Sequence, residues 1–422
     1  MSQIVVQGGG PLEGTVRVSG ATKNEGTKVM AAALLAAGEC HITNIPRVAD
    51  LDVMIELLTS VGAHVRWTGA DSLSVDASGD LTPVASYELV SKMRASINVL
   101  GPLVARCGEA KVALPGGDAI GSRKLDMHIN GLRAMGAHIE QEHGYLVAWT
   151  DGGLGGTRHV LDFPSVGATE NLLTAAVVAK GTTVIDNAAR EPEITALCAF
   201  LNRMGAHILG GGTSTITVHG VEQLDAADIE LIGDRIETGT LLLACAMAGG
   251  EIEIDGAELE HVEVMARKLA EMGMLVSPTT NGIWARAARR LTSIDISTLP
   301  FPGFATDLMP LAVALLTVCD GSGIVTENIY DSRFQFVDEL ARMGADVRHE
   351  GRHAIVRGVP RLQGVPVQAT DVRAGAALVL AGLVADGETV VHGCDHIDRG
   401  YADLAGSLRA LGADAVSLPD PT

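Results

Sequence analysis

Six short stretches decide the fold: Ser60-Val-Gly-Ala-His64, Ala134-Met-Gly-Ala-His138, Arg203-Met-Gly-Ala-His207, Glu271-Met-Gly-Met-Leu275, Arg342-Met-Gly-Ala-Asp346 and Ala410-Leu-Gly-Ala-Asp414. Each ends a helix-like run on an apolar residue and Gly, then opens a strand-like run. The glycines 62, 136, 205, 273, 344 and 412 stand 74, 69, 68, 71 and 68 residues apart. So steady a period means one small unit used six times.

About 30 residues before each of these glycines lies a second common part, an Ala/Leu/Val-rich helix, a Gly and a β-branched strand. Ala31–Gly38, Leu173–Gly181, Leu241–Gly250 and Leu378–Gly387 are examples, followed by strands such as Thr182–Asp186 and Thr389–His392. After the second helix, runs such as Asp346–His349 and Ala354–Arg357 flank Glu350-Gly351, the spacing of a hairpin. The unit is thus strand, helix, strand, helix, hairpin. It cannot bury both faces alone, so several copies must share a core.

Six copies could form one open solenoid or two closed groups of three. At 422 residues the chain exceeds what one core usually supports, which favours two groups. The expected boundary is Leu231-Ile-Gly-Asp234, where the pattern breaks. This gives an α/β protein with one domain over 23–232 and a second over 1–22 plus 233–422. The opening strands Ile4–Gln7 and Gly14–Ser19 are expected to complete the second group.

Aromatic residues make up only 3% of the chain and apolar residues 47%, so the core is expected to be aliphatic. A net charge of −20 argues against nucleic acid, which needs a basic surface to displace counterions. It leaves room for a small anion, because a few arginines in a cleft dominate the local field. Cys40, Cys107, Cys198, Cys245, Cys319 and Cys394 form no Cys-x-x-Cys pair and read as free thiols in a reducing cytoplasm. No secretion signal is evident, and the apolar stretches are about ten residues long, half of a membrane span. His128, His138 and His207 lack metal-ligand spacing, so no metal is expected. The oligomeric state is left open.

Three features rise above the repeat. Lys23-Asn24 opens a helix, and a cation at a helix start makes an anion site. Leu114-Pro-Gly-Gly-Asp118-Ala-Ile-Gly-Ser-Arg123 carries one carboxylate and one guanidinium on a Gly-rich loop. Arg94, Asp307, Arg333, Asp371, Arg373 and Arg399 are lone charges at turns of apolar units, a set suited to a substrate with phosphate and carboxylate groups. These groups fall where one copy departs from the other five.

Together with Ser165-Val-Gly-Ala-Thr169, Asn187-Ala-Ala-Arg-Glu-Pro-Glu193, Asp234-Arg-Ile-Glu237 and His396-Ile-Asp-Arg-Gly-Tyr401, these motifs resemble, in order and over essentially the whole chain, the UDP-N-acetylglucosamine 1-carboxyvinyltransferases of the enolpyruvyl transferase superfamily. The resemblance implies two inside-out α/β barrels, each of three βαβαββ units. It also implies transfer of the enolpyruvyl group of phosphoenolpyruvate to the 3-hydroxyl of UDP-N-acetylglucosamine, the first committed step of peptidoglycan precursor synthesis, with no cofactor. By the same resemblance Lys23, Asn24, Arg123, Arg333, Asp371, Arg373 and Arg399 serve phosphoenolpyruvate. Arg94, the segment Arg123, Lys124, Leu125, Asp126 and Met127, the diphosphate segment Ser165, Val166 and Gly167, and Asp307 and Ile329 serve the sugar nucleotide. Asn24 also contacts the sugar nucleotide. Asp118, Lys23, Asn24, Asp307 and Arg399 form the implied catalytic set, with Asp307 accepting the hydroxyl proton. Asp118 stands where many members have Cys, as the proton donor to the methylene carbon, and a carboxylate there implies resistance to the epoxide fosfomycin. Three departures bear on the acceptor: Thr22 is inserted before Lys23-Asn24, Asn98 replaces a larger side chain, and Lys124 stands where Pro is common. Another acceptor, such as the uridine nucleotide UMP, is the alternative.

Overall fold

The computed structural model describes residues 2–118, 120–121 and 124–419. The chain divides into two compact bodies. The first comprises Gly20–Asp118 and Arg123–Ile232, the second Met1–Ser19, Ala119–Ser122 and Gly233–Thr422. The chain passes between the bodies after Ser19 and after Ile232, and the start of the first body is tied to its end. The Ala21 N–H donates to the Ile232 carbonyl at 2.8 Å, and Thr22 is buried. Residues 20–22 are thereby held by the first body.

Each body repeats one four-stranded sheet three times, with a parallel edge strand, a centre strand and an antiparallel hairpin. In the third unit Arg158–Val160 runs parallel to Thr182–Asp186, which pairs with Thr215–His219, which pairs with His207–Leu209. The bodies close by borrowing strands. The edge strand of the first unit, beside Glu39–Thr43, is Ile229–Glu230 from the far end of the same body. In the second body Leu12–Arg17 supplies the edge strand of the fourth unit, beside Gly250–Asp255. Ser2–Gln7 supplies the missing hairpin strand of the sixth, between Glu388–His392 and Asp414–Pro419.

Helices lie inside and sheets outside. The helices Arg235–Ala248, Met309–Leu316 and Val372–Gly382 pack on one another at the centre of the second body, buried almost all round. A helix apolar on every side belongs in a core, and small residues let such helices approach closely. At Gly239 a Cβ would lie 2.5 Å from Leu308 Cδ1, so a side chain there would push the Leu308 tip aside. Leu100–Cys107 and Val166–Ala176 pack in the same way in the first body. Each body has its own aliphatic core.

The six-fold signature is a helix stop. At Gly205 the backbone has φ of 104°, and nothing lies within 4 Å of where a Cβ would stand. The requirement there is conformational, since only glycine enters the left-handed region without penalty. Gly205 N–H donates to Asn202 and Ala206 N–H to Leu201, the double bond pattern of a Schellman cap. No helix among the described residues is long and apolar enough to cross a membrane.

Candidate functional site

In the first body the polar groups gather at helix starts. Thr22–Gly26 forms a π-helical turn ahead of the helix Thr27–Ala32. A π turn holds one residue more per hydrogen-bonded ring than an α turn. Thr22 turns inward, its hydroxyl bonding the Gly20 carbonyl. Lys23 Nζ lies 2.8 Å from Asp50, a buried carboxylate on the helix Ala49–Ser60. Lys28 Nζ donates to the carbonyls of Lys23 and Asn24.

Ser165 caps the eleven-residue helix Val166–Ala176, its Oγ accepting from Ala168 N–H. Remaining N–H groups of that first turn form an anion-receptive end. His128 stands against it: a Cβ on Gly167 would be 3.2 Å from His128 Cε1 and 3.5 Å from Nε2. Asn171 fixes the tautomer. Its Oδ1 accepts from Gly101 N–H, so Nδ2 is the donor to His128 Nδ1 at 2.8 Å. Nε2 therefore carries the proton in the neutral ring. Burial, then the nearby Arg94 cation, lowers the His128 pKa to about 4, so the ring is neutral near pH 7. Beneath, Asn98 Nδ2 donates to the fully buried Glu170 at 2.5 Å. Burial pushes the Glu170 carboxyl up to about 7 against the opposing pull of Lys28 and Asn98.

Arg94 begins the turn Arg94–Val99 and reaches the Lys124 carbonyl at 3.4 Å. Lys124 and Asp126 are exposed, Leu125 and Met127 half-buried, at the start of the helix Asp126–Ala134. Asp118 is half-buried on the loop that follows the strand Glu109–Ala113. Arg123 lies outside the described residues.

The second body gathers charge. Asp307, in the turn Thr306–Leu308, meets Arg333 Nη2 at 2.8 Å through Oδ1 and Arg373 Nη2 at 3.3 Å through Oδ2. The two guanidiniums are only 3% and 2% exposed. Burial alone would weaken both cations, but Asp307 reverses this for Arg333, and Tyr401, Asp307 and Asp234 do so for Arg373; both pKa values end above the ordinary arginine range. Each guanidinium lies over a tyrosine, Arg333 at 5.4 Å from the Tyr330 ring and Arg373 at 5.0 Å from Tyr401. Buried Arg333 Nε and Arg373 Nη1 make no hydrogen bond among the described residues. An anionic substrate group would satisfy such donors.

Asp371 acts as a helix cap, its Oδ1 accepting from Arg373 N–H and Ala374 N–H. Arg399 ends the turn Cys394–Arg399 and is half-buried. Ile329 N–H donates to Glu327. The second body thus brings Asp307, Arg333 and Arg373 into contact, with Asp371 at the base of Arg373. The first brings Ser165–Gly167 to His128, and Lys23 to Asp50.

Sequence reading passed over Asp50, Asn171, Thr306 and Glu327, and weighed His128 only as a metal ligand. His128 and Asn171 are 43 residues apart, and no local spacing announces their pairing. Glu327 looks like any strand-end polar residue until its hydrogen bonds are seen. Among the described residues no group of His, Cys, Asp and Glu could hold a metal ion. The six cysteines are free thiols, five of them buried.

Residues 6–408 match the family described as EPSP synthase (3-phosphoshikimate 1-carboxyvinyltransferase). The chain is 51% identical over 410 residues to the UDP-N-acetylglucosamine 1-carboxyvinyltransferase of Corynebacterium jeikeium (strain K411), covering 97% of each chain. It is 50% identical over 421 residues to the enzyme of that name from Nocardia farcinica (strain IFM 10152), again covering 97% of each. In structure it resembles the enolpyruvyl transferase NikO from Streptomyces tendae, with a TM-score of 0.88, 27% identity and full coverage of both chains. With this likeness in sequence and in fold running end to end, the chain belongs to the enolpyruvyl transferase superfamily, on the branch of the UDP-N-acetylglucosamine 1-carboxyvinyltransferases.

Proposed function

We propose that the protein transfers the enolpyruvyl group of phosphoenolpyruvate to the 3-hydroxyl of UDP-N-acetylglucosamine, releasing phosphate. The observation that carries this reading is 51% identity, over nearly the full length of both chains, to a relative named for that transfer. The site chemistry is compatible with it. Asp307, the hydroxyl's base, sits between Arg333 and Arg373, which favour its ionised, proton-accepting form. As the sugar oxygen bonds to C2 of phosphoenolpyruvate, the hydroxyl proton passes to Asp307 and a proton from Asp118 adds to the methylene carbon. The resulting tetrahedral adduct expels phosphate and loses a proton from the new methyl group, restoring the double bond. Lys23, Asn24, Arg123 and Arg399, with the two buried arginines, hold the phosphate and carboxylate. The start of the Val166–Ala176 helix and the Nε2–H of His128 hold the diphosphate.

The Asp118 carboxylic acid takes the proton-donor role that many relatives give to a cysteine. The test is phosphate release from phosphoenolpyruvate with UDP-N-acetylglucosamine, and separately with UMP. Turnover with the sugar nucleotide is expected. Turnover with UMP alone would move the protein to another acceptor, and turnover with neither would leave a binding protein.

A further inference from the structure

The second body contains a buried carboxylate that the reaction scheme does not use. Glu327 is 0% exposed, at the end of the strand Ser322–Thr326. Four donors converge on it: Thr298 Oγ1 at 3.0 Å, Thr306 Oγ1 at 2.8 Å, Ile329 N–H at 2.7 Å and Tyr330 N–H at 3.0 Å. Its two oxygens divide the work. Oε1 takes Thr298 and the two backbone N–H groups, which shapes the turn carrying Ile329 and Tyr330. Among the described residues Oε2 takes Thr306 alone.

That single bond reaches the charged centre. A hydroxyl has one proton to give, and Thr306 gives it to Glu327. Its lone pairs are then turned toward Arg333, whose Nη1 donates to Thr306 Oγ1 at 2.7 Å while Nη2 donates to Asp307 at 2.8 Å. The guanidinium is therefore held at two points of its fork, one on Thr306 and one on Asp307. Remove the acceptor behind Thr306 and the hydroxyl is free to rotate, leaving the guanidinium with one fixed point. A chain in which each bond polarises the next is stiffer than its separate links.

We propose that Glu327 is a positioning residue for the transfer reaction, acting through the Thr306 hydroxyl to hold the Arg333 fork and so aim the Asp307 carboxylate. This rests on the enolpyruvyl-transfer reading. It extends that reading from the groups that touch substrate to the carboxylate that orients them. A carboxylate withdrawn from water needs strong hydrogen bonds in return, and a neutral acceptor could have closed the turn more cheaply. The charge makes sense where the orientation of a hydroxyl must not fluctuate.

Glu327→Gln separates the two oxygens. Its carbonyl oxygen can occupy the Oε1 place and keep the turn, while its amide turns the Oε2 side from acceptor to donor. Thr306→Val removes the same link from the other end, and Thr306→Ser keeps it. Misplacing a reacting group by about 1 Å costs on the order of a hundredfold in rate. We expect kcat with phosphoenolpyruvate and UDP-N-acetylglucosamine to fall between about tenfold and a hundredfold in Glu327→Gln and in Thr306→Val, with KM for the sugar nucleotide within about twofold of wild type. Thr306→Ser should restore most of kcat, and the double variant should be no worse than either single variant, since both cut one chain. Wild-type kcat in either single variant, losses that multiply in the double variant, or a fall in kcat matched by a fall in folded fraction would overturn the proposal. Wild-type turnover is measured first. If it is absent the functional reading fails by itself, and the Glu327–Thr306 coupling is then read from the same double-variant cycle in unfolding free energy, where additive effects refute it.

Discussion

The two bodies are built from the same unit used three times, yet they present opposite electrostatic solutions at their helix starts. In the first, the Ser165-capped helix start lies against a neutral His128, with the amides of Asn98 and Asn171 beneath it. In the second, the partly exposed Asp307 meets Arg333 and Arg373, whose guanidiniums are almost fully buried. A repeated scaffold fixes where helix ends point and leaves their chemistry free. The first arrangement suits a diphosphate held without being transformed. The second suits a proton moved beside a bound anion.

The sharpest way to break this contrast is to neutralise the second body's carboxylate. Asp307→Asn leaves two buried guanidiniums without their counter-charge. It should lower kcat by about a thousandfold, as loss of a general base does, and lower the unfolding free energy by about 3 kcal/mol. Steady-state kinetics and urea unfolding check both, and a variant with wild-type kcat would remove Asp307 from the chemistry. Asp118 carries the first body's share of the proposed chemistry. Native protein should resist fosfomycin, whereas Asp118→Cys should show time-dependent inactivation, because a thiolate attacks the epoxide far better than a carboxylate. Irreversible inactivation of the native protein at low fosfomycin, absent in Asp118→Ala, would sink that expectation.

A matched pair of buried acids sharpens the comparison further. Burial pushes Glu170 in the first body and Glu237 in the second up to about 7, from an ordinary value of 4.5. The folded protein then keeps a proton that the unfolded chain releases, so stability falls as pH rises from about 4.5 to about 7. Glu170→Gln and Glu237→Gln should each flatten this fall, gaining relative to wild type by up to about 3 kcal/mol across the window. Chemical unfolding at pH 5 and pH 8 measures it. Glu237 accepts from both the N–H and the hydroxyl of Ser19, whereas Glu170 has Asn98. The loss of a good acceptor should therefore offset more of the gain in the second body. Equal gains would show that burial alone sets both values.

The smallest expected effect is at the cap. Ser165→Ala removes one side-chain acceptor from the helix start and should cost about 1 kcal/mol. It should raise KM for UDP-N-acetylglucosamine a few-fold and leave kcat nearly unchanged. A change in kcat as large as that of Asp307→Asn would erase the distinction between a recognising and a reacting body.

Much of this molecule is local and hence legible in its sequence. A helix that stops on Gly needs a left-handed residue within a few positions, so six such stops revealed six units and the break near Ile232. Lone arginines in apolar helices and turns stood out for the same reason, since Arg333 and Arg373 have no ordinary place in a core. Other features depended on distant residues coming together, and these only the tertiary structure decided. The opening strands are expected to complete the second group, but that Ser2–Gln7 enters the sixth unit and Leu12–Arg17 the fourth is set by their pairing. Asn171 selects the His128 tautomer from 43 residues away, and Glu327 orients Thr306 from 21. Periodicity writes an element into consecutive residues. The orientation of a buried polar group is set by whichever donors and acceptors the fold brings to it.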